Sequence, residues 1–492
     1  MLVTAILWGR SMNHLLKAMG FWIWGLVAIG LSLSLVSVNY RALLLFNRLV
    51  EPAAPMASKL VSTRSISSSG AGVKPAAQQN TNSPAFPRPG ASEVRFISRS
   101  IAREMTAAQA ALQAGRWEDA LPYLDAADEV SHVTQFDKKT IDDFRGFAHL
   151  KLYRYKEAQA DYTRALATGE YSREEAQQIT HRLFLLSAGN LDYATAVTYG
   201  KQMQASGMAT SDDLGVVAQI LYLQKDCRES AVWVDRAVAS ARESGATAKE
   251  NWYQFKLQCA TDAADNAAME SALANLVRLT NKPAYWNTLL RIWRQDERDD
   301  HNLLMIYRVM YATHSMSNAS DYLEMAQLLS DAKLPVEGLA VVDFAISSGL
   351  VSDPNYRERA LRLRESLQAR TAVDKDDLSS GQWQTQAAQS PAGDLSIALG
   401  QLYYGLGNFQ DAITTISEGL QKGAPRRAFD AYVYLALSQA DMGNVKQAKE
   451  TLGQIKSVPG INRRMVDLWQ LYADTRIQST AALPMQSDKS IQ

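Results

Sequence analysis

Residues 399–452 read LGQLYYGLGNFQDAITTISEGLQKGAPRRAFDAYVYLALSQADMGNVKQAKETL. The stretch holds one pattern twice. Gly407-x-Phe409-x-x-Ala412-x-x-x-Ile416 returns as Gly443-x-Val445-x-x-Ala448-x-x-x-Leu452. In each copy a glycine closes one apolar-periodic run, where a left-handed φ ends a helix at little steric cost. The next run carries a large apolar residue, then a small one three positions on, then an apolar one four further. Those three positions share one face of a helix. The small residue lets that face approach the preceding helix closely. The unit is therefore a pair of helices joined by a tight turn.

The same pattern recurs along the chain. It reads Gly115-x-Trp117-x-x-Ala120, then Tyr155-x-x-Ala158-x-x-x-Tyr162, then Gly189-x-Leu191-x-x-Ala194, and in weaker form Cys227-x-x-Ser230. The small positions fall at 120, 158, 194, 230, 268, 338, 412 and 448. The steps are 38, 36, 36, 38, 70, 74 and 36, so each long step hides one degenerate copy. No single pair can bury its whole apolar face, and stacked neighbours complete the core. The expectation is an all-α body over residues 97–476, an α-solenoid of about ten helix pairs.

First-helix positions extend the pattern: Leu399-Gly400-x-x-Tyr403, Tyr432-x-x-Leu435-Ala436, and Tyr322-x-x-Met325-Ala326-x-x-Leu329 before Gly338. On these residues the body resembles the tetratricopeptide repeat (TPR). The resemblance implies a concave groove that takes a protein partner, and says little about activity. The chain also resembles exported, membrane-anchored repeat proteins of Gram-negative bacteria. It shares their membrane-targeting N-terminus, a central Tyr285-Trp286 segment and a closing helix like Val466–Ala473. That resemblance implies an envelope scaffold. The alternative it implies is an accessory subunit of polysaccharide export or synthesis, or of outer-membrane transport, with glycan as a possible contact.

The N-terminus carries a separate signal. Ala18 to Tyr40 is uncharged, AMGFWIWGLVAIGLSLSLVSVNY. As a helix it would span about 34 Å, enough for a bilayer core. Trp22 and Trp24 suit an interfacial anchor. A signal peptide is the competing reading, but its apolar core is shorter and ends at a small-x-small site. Arg10, Lys17 and the terminal amine before the run, against Arg41 and Arg48 after it, slightly favour a cytoplasmic N-terminus under the positive-inside rule. The expected order is a cytoplasmic segment 1–17, a transmembrane anchor or uncleaved signal 18–46, a Pro/Ser/Ala-rich linker 47–96, the repeats, and a tail 477–492. The localisation that follows is a single-pass inner-membrane protein with its repeats in the periplasm. A cytoplasmic scaffold of the opposite topology is the alternative.

The chain has 492 residues, with 51 Lys plus Arg against 51 Asp plus Glu. That balance argues against binding nucleic acid through an overall positive field. No two of the six histidines stand at i, i+3 or i+4, and no HExxH, Gly-x-Ser-x-Gly or phosphate-loop motif occurs. The reading is a non-enzyme with no metal and no cofactor.

Four features remain as candidates. Cys227 opens the second helix of one repeat and Cys259 ends the first helix of the next. Those ends should meet, so a disulfide is expected in an oxidising compartment, with two buried thiols as the alternative. Tyr285, Trp286 and Trp293 crowd the degenerate middle, as core or as a partner-binding hot spot. Arg357, Arg359, Arg362, Arg364 and Arg370 line one helix. Glu358 and Glu365 interleave there, so a salt-bridged exposed face competes with an anionic-glycan or acidic-partner contact through Arg357 and Arg364. Asp296 to Asp300 is acidic, but lacks the alternation and Gly bend of a calcium loop.

Overall fold

The computed structural model describes residues 96–422, 426 and 428–475. The expected anchor, linker and tail lie outside the described residues. Among the described residues no helix is long and apolar enough to cross a membrane, and there is no strand.

The chain divides into two compact units between Gln224 and Lys225. In the first, α1 (Ala102–Gln113) pairs with α2 (Trp117–Asp128), α3 (Gln135–Lys151) with α4 (Tyr155–Ala167), and α5 (Arg173–Gly189) with α6 (Tyr193–Ala205). Helix α7 (Ser211–Leu223) ends that unit. The second begins with α8 (Cys227–Glu243), then pairs α9 (Glu250–Asp262) with α10 (Asn266–Thr280) and α11 (Pro283–Asp296) with α12 (Asp300–Ala312). Next come α13 (Ala319–Asp331) with α14 (Pro335–Ser347) and α15 (Pro354–Ser379) with α16 (Gln382–Gln389). The last pairs are α17 (Asp394–Gly405) with α18 (Phe409–Gln421) and α19 (Ala428–Asp441) with α20 (Val445–Gly453), before α21 (Arg463–Thr475).

Local chemistry sets these boundaries. In the first unit, α3, α5 and α7 each start at a capping box. Thr134, Ser172 and Thr210 accept from the backbone N–H three residues on, and Asp137, Glu175 and Asp213 return the bond. Each box satisfies two otherwise orphaned N–H groups. Asp137 also accepts from Ser98, from its N–H at 2.9 Å and its hydroxyl at 2.6 Å, which ties the start of the unit to α3.

The turns inside the pairs hold a positive φ at Gly115, Gly407 and Gly443, as the pattern requires. Tyr153, Leu191, Ala264 and Lys333 occupy the same place without being glycine. This shifts the register of one copy. Leu191 is the turn residue, α6 starts at Tyr193, and the buried small residue is Ala196, with Ala194 exposed. Gly189 lies inside α5. Ala268 is likewise exposed. Ala120, Ala158, Ser230, Gly338, Ala412 and Ala448 are buried where the pattern puts them. The seam is tight at Gly400, where a Cβ would overlap the Ile416 side chain of α18.

Each long step hides a helix pair. The first holds α11 and α12. The second holds the irregular α15 and α16, of 26 and 8 residues. The cores of the two units differ in kind. The first unit has successive local clusters, one from Ile101 to Ala148 and one from Leu150 to Leu186. The second has one continuous cluster running from Leu273 to Ala473.

Candidate functional site

The aromatic trio of the second unit is not an open patch. Trp286 is fully buried, and its indole N–H donates to Asn281 Oδ1 at 2.8 Å. Trp293 is 6% exposed, with the Arg464 guanidinium 5.8 Å from its ring. Tyr285 is half-buried. Its hydroxyl donates to Glu250 and accepts from Gln254 at 2.8 Å. Burial, then the bond to Glu250, pushes its phenol up to about 12. The sequence left these residues as core or as a partner contact; the two tryptophans are core. Helix α11, which carries all three, packs against α10 and α12, and α21 packs on those same two helices.

The arginine helix is α15. Arg362 pairs with Glu358 at 3.4 Å, Arg364 with Asp343 of α14, and Arg370 donates to Ser330 Oγ at 3.0 Å. Arg357 is exposed. Of the five arginines, Arg362 and Arg364 are in salt bridges, as a salt-bridged face requires, and Arg370 is held by a serine. The acidic stretch is helix-end chemistry. Asp299 caps α12 through the Asn302 N–H at 2.9 Å, and Glu297 accepts from the Arg298 and Asp299 N–H groups. Among the described residues no cluster of His, Cys, Asp or Glu could hold a metal.

Cys227 and Cys259 are disulfide-bonded, with Cα atoms 5.6 Å apart. The bond joins the first turn of α8 to the last turn of α9.

One buried centre escaped the sequence reading. Arg308 of α12 is buried and ion-paired with Glu337 of α14, while its guanidinium also donates to the Tyr434 hydroxyl of α19. Tyr434 in turn donates to Glu337 at 2.9 Å. Burial alone would lower the Arg308 pKa, but Glu337 and Tyr434 overcome it and raise it. A buried charge persists only when paired in this way. The available signal was an arginine inside the apolar run Leu303–Ala312. This hub, with Tyr404 against Tyr434 at 5.2 Å, fills the space between α12, α14 and α19.

A cavity of about 410 Å³ opens beside α14, α15, α16 and α17. Leu334, Val336, Ile397 and Leu402 give it apolar walls, and Trp383 and Asp374 also line it. In the first unit the exposed large apolar side chains include Tyr153 and Leu191, 74% and 69% exposed, both at turns within helix pairs. Tyr153 and Tyr155 stand edge to face at 6.2 Å.

No family model and no curated protein matches the sequence. Solved structures match weakly. The structure titled Naa15/Naa10 bound to HypK-THB has a TM-score of 0.28 at 13% identity, over 72% of this chain and 63% of that one. A tetratricopeptide repeat protein from Parabacteroides merdae has a TM-score of 0.25 at 11% identity, over 76% and 99%. The pentatricopeptide repeat protein PPR10 from maize has 0.26 at 14%, over 76% and 62%. The chain thus spans less than two thirds of the first and third of these. The fold assignment rests on the helix pairs and turns described above: the chain is a TPR-like helical-repeat protein.

Proposed function

We propose that the chain is a non-catalytic interaction scaffold, held at the inner membrane by residues 18–46, with its repeats in the periplasm. The observation that carries the scaffold reading is the repeated helix pair itself. It builds a mixed-charge surface from one seam reused many times, an architecture suited to holding another protein. The exposed apolar turns at Tyr153 and Leu191 are the contacts we assign to a partner, since large exposed apolar side chains at a strained backbone are costly to keep without use. The Cys227–Cys259 disulfide suits an oxidising compartment.

Photo-cross-linking in cells from positions 153 and 191, followed by mass spectrometry, tests the contact. One protein recovered from both positions supports it; no cross-linked protein from either removes it. A phosphatase fused after Gln492 tests the topology. Activity is expected, and an inactive but stable fusion overturns the periplasmic placement.

A further inference from the structure

Helix α15 has 26 residues, yet its buried stripe is only Ala360, Leu363, Leu367 and Thr371. Most of its circumference faces solvent. On one bare face Arg359, Arg362, Ser366, Ala369, Val373 and Asp377 follow at steps of three or four, so they form a straight row. All are exposed except Asp377, which is half-buried, and Val373 shows 59% of its surface. The row is basic at one end, small in the middle and acidic at the other. Arg362 is shared with Glu358, itself largely exposed. The side chains of Arg359 and Asp377 have no ion-pair partner among the described residues.

The order of charges opposes the helix dipole. The N-terminus of a helix favours carboxylates and its C-terminus favours cations. The first turn of α15 holds no acid and the last turn no base. Arg357 stands near the start, and Asp376 and Asp377 near the end. A helix charged in this sense is served best by a neighbour that brings carboxylates to its first turns and cations to its last. A uniformly acidic or uniformly basic partner would match one end and repel the other.

The chain itself supplies the matching neighbour. Arg359 and Asp377 are 18 positions apart, about five whole turns, so they lie on the same side of the helix. An antiparallel second α15, related by a two-fold axis at the level of position 368, sets each Arg359 against the other copy's Asp377. The pair is made twice, as a self-complementary interface requires. Ser366 and Ala369, close to the axis, let the two backbones approach, and each Val373 lies level with the stem of the other copy's Arg362.

We propose that the chain forms a two-fold dimer through this face of α15, with a second copy of itself antiparallel across it. The dimer goes beyond the scaffold reading and does not depend on it.

Sedimentation equilibrium of the full chain in density-matched detergent tests the proposal. The parent should dimerise with Kd below about 100 μM. Arg359→Glu and Asp377→Arg should each weaken the dimer at least about fivefold, since each change acts twice. Arg359→Glu combined with Asp377→Arg should restore it. A short bismaleimide gives a second readout that leaves the native disulfide in place. It should join Arg359→Cys chains to Asp377→Cys chains. It should not join Arg359→Cys chains to one another, because the two copies of that position stand about 27 Å apart along the helix. A parent that stays monomeric at about 100 μM overturns the proposal. So does a dimer that both single reversals leave unchanged, a double reversal that fails to restore what the singles lose, or cross-linking of Arg359→Cys to itself alone. A monomeric chain that still captures a partner from positions 153 and 191 leaves the scaffold reading standing and removes only the dimer.

Discussion

Asn281 and Thr475 are 194 residues apart in the chain, yet the Asn281 side-chain amide donates to the Thr475 carbonyl at 3.3 Å. Nearby, Arg464 reaches Glu270 at 3.3 Å and the Trp293 ring. The last helix of the second unit therefore returns to helices near its beginning. In a simple repeat stack each unit touches only its neighbours, and stability is local. Here the final helix couples to the early ones. Trp469 is 1% exposed in α21 and stands edge to face with Tyr472 at 5.5 Å. Trp469→Ala should cost about 3–5 kcal/mol, and Arg464→Ala about 0.5–1 kcal/mol. Urea unfolding followed by far-UV circular dichroism measures both. A Trp469→Ala variant as stable as the parent would show that the return contact is incidental.

The disulfide closes a loop with a sequence separation of 32. Chain entropy assigns such a loop about 3–4 kcal/mol. Replacing both cysteines by serine should lower stability by that order. Alkylation of the unreduced, denatured protein should label no thiol, and two labelled thiols would refute the bond.

Leu191 holds φ 62° with 69% of its surface exposed. A non-glycine residue in this region is strained, and glycine is not. Leu191→Gly should therefore raise stability by about 0.5–1 kcal/mol. If Leu191 is a partner contact, the same change should reduce partner capture from position 153. Stability rising while capture falls would separate the two roles assigned here; both moving in the same direction would contradict them.

Asp441 is buried enough to push its carboxyl up to about 6, with burial as the sole cause. Between the ordinary carboxylate value and about 6, the folded chain binds a proton that the unfolded chain has released. Stability from this group is thus present at low pH and falls as pH rises through that window. Asp441→Asn should gain roughly 1–3 kcal/mol over the parent at pH 8 and little at pH 4. Thermal unfolding at both values checks this, and an equal effect at the two would contradict the assignment.

What could be read in advance was what is local. Gly407, Ala412, Gly443 and Ala448 betray the pair because turn, seam and face lie within ten residues of one another. Leu191 broke the reading because it takes a glycine's conformation without being glycine, which moved the seam from Ala194 to Ala196. The cysteine pairing was legible because the repeat register alone brings two helix ends together. Trp286 and Trp293 were ambiguous for the opposite reason. Aromatic residues at helical spacing look the same whether covered or bare, and one group near Trp293, Arg464, comes from α21, far along the chain. Arg308 was hidden likewise: its partners Glu337 and Tyr434 lie 29 and 126 positions away. The row from Arg359 to Asp377 becomes visible only once α15 is known to continue unbroken past Thr371.

The return of α21 also bears on how such a chain can change in length. Repeat arrays ordinarily grow or shrink by duplicating or deleting a unit, because each junction resembles the next. Adding one helix pair between α10 and α21 would displace Thr475 from Asn281 and Arg464 from Glu270. The stretch from α10 to α21 is therefore expected to hold its repeat number, while the first unit, with its separate local cores, carries no such return contact among the described residues. Variation in length among descendants of this chain should collect before Lys225.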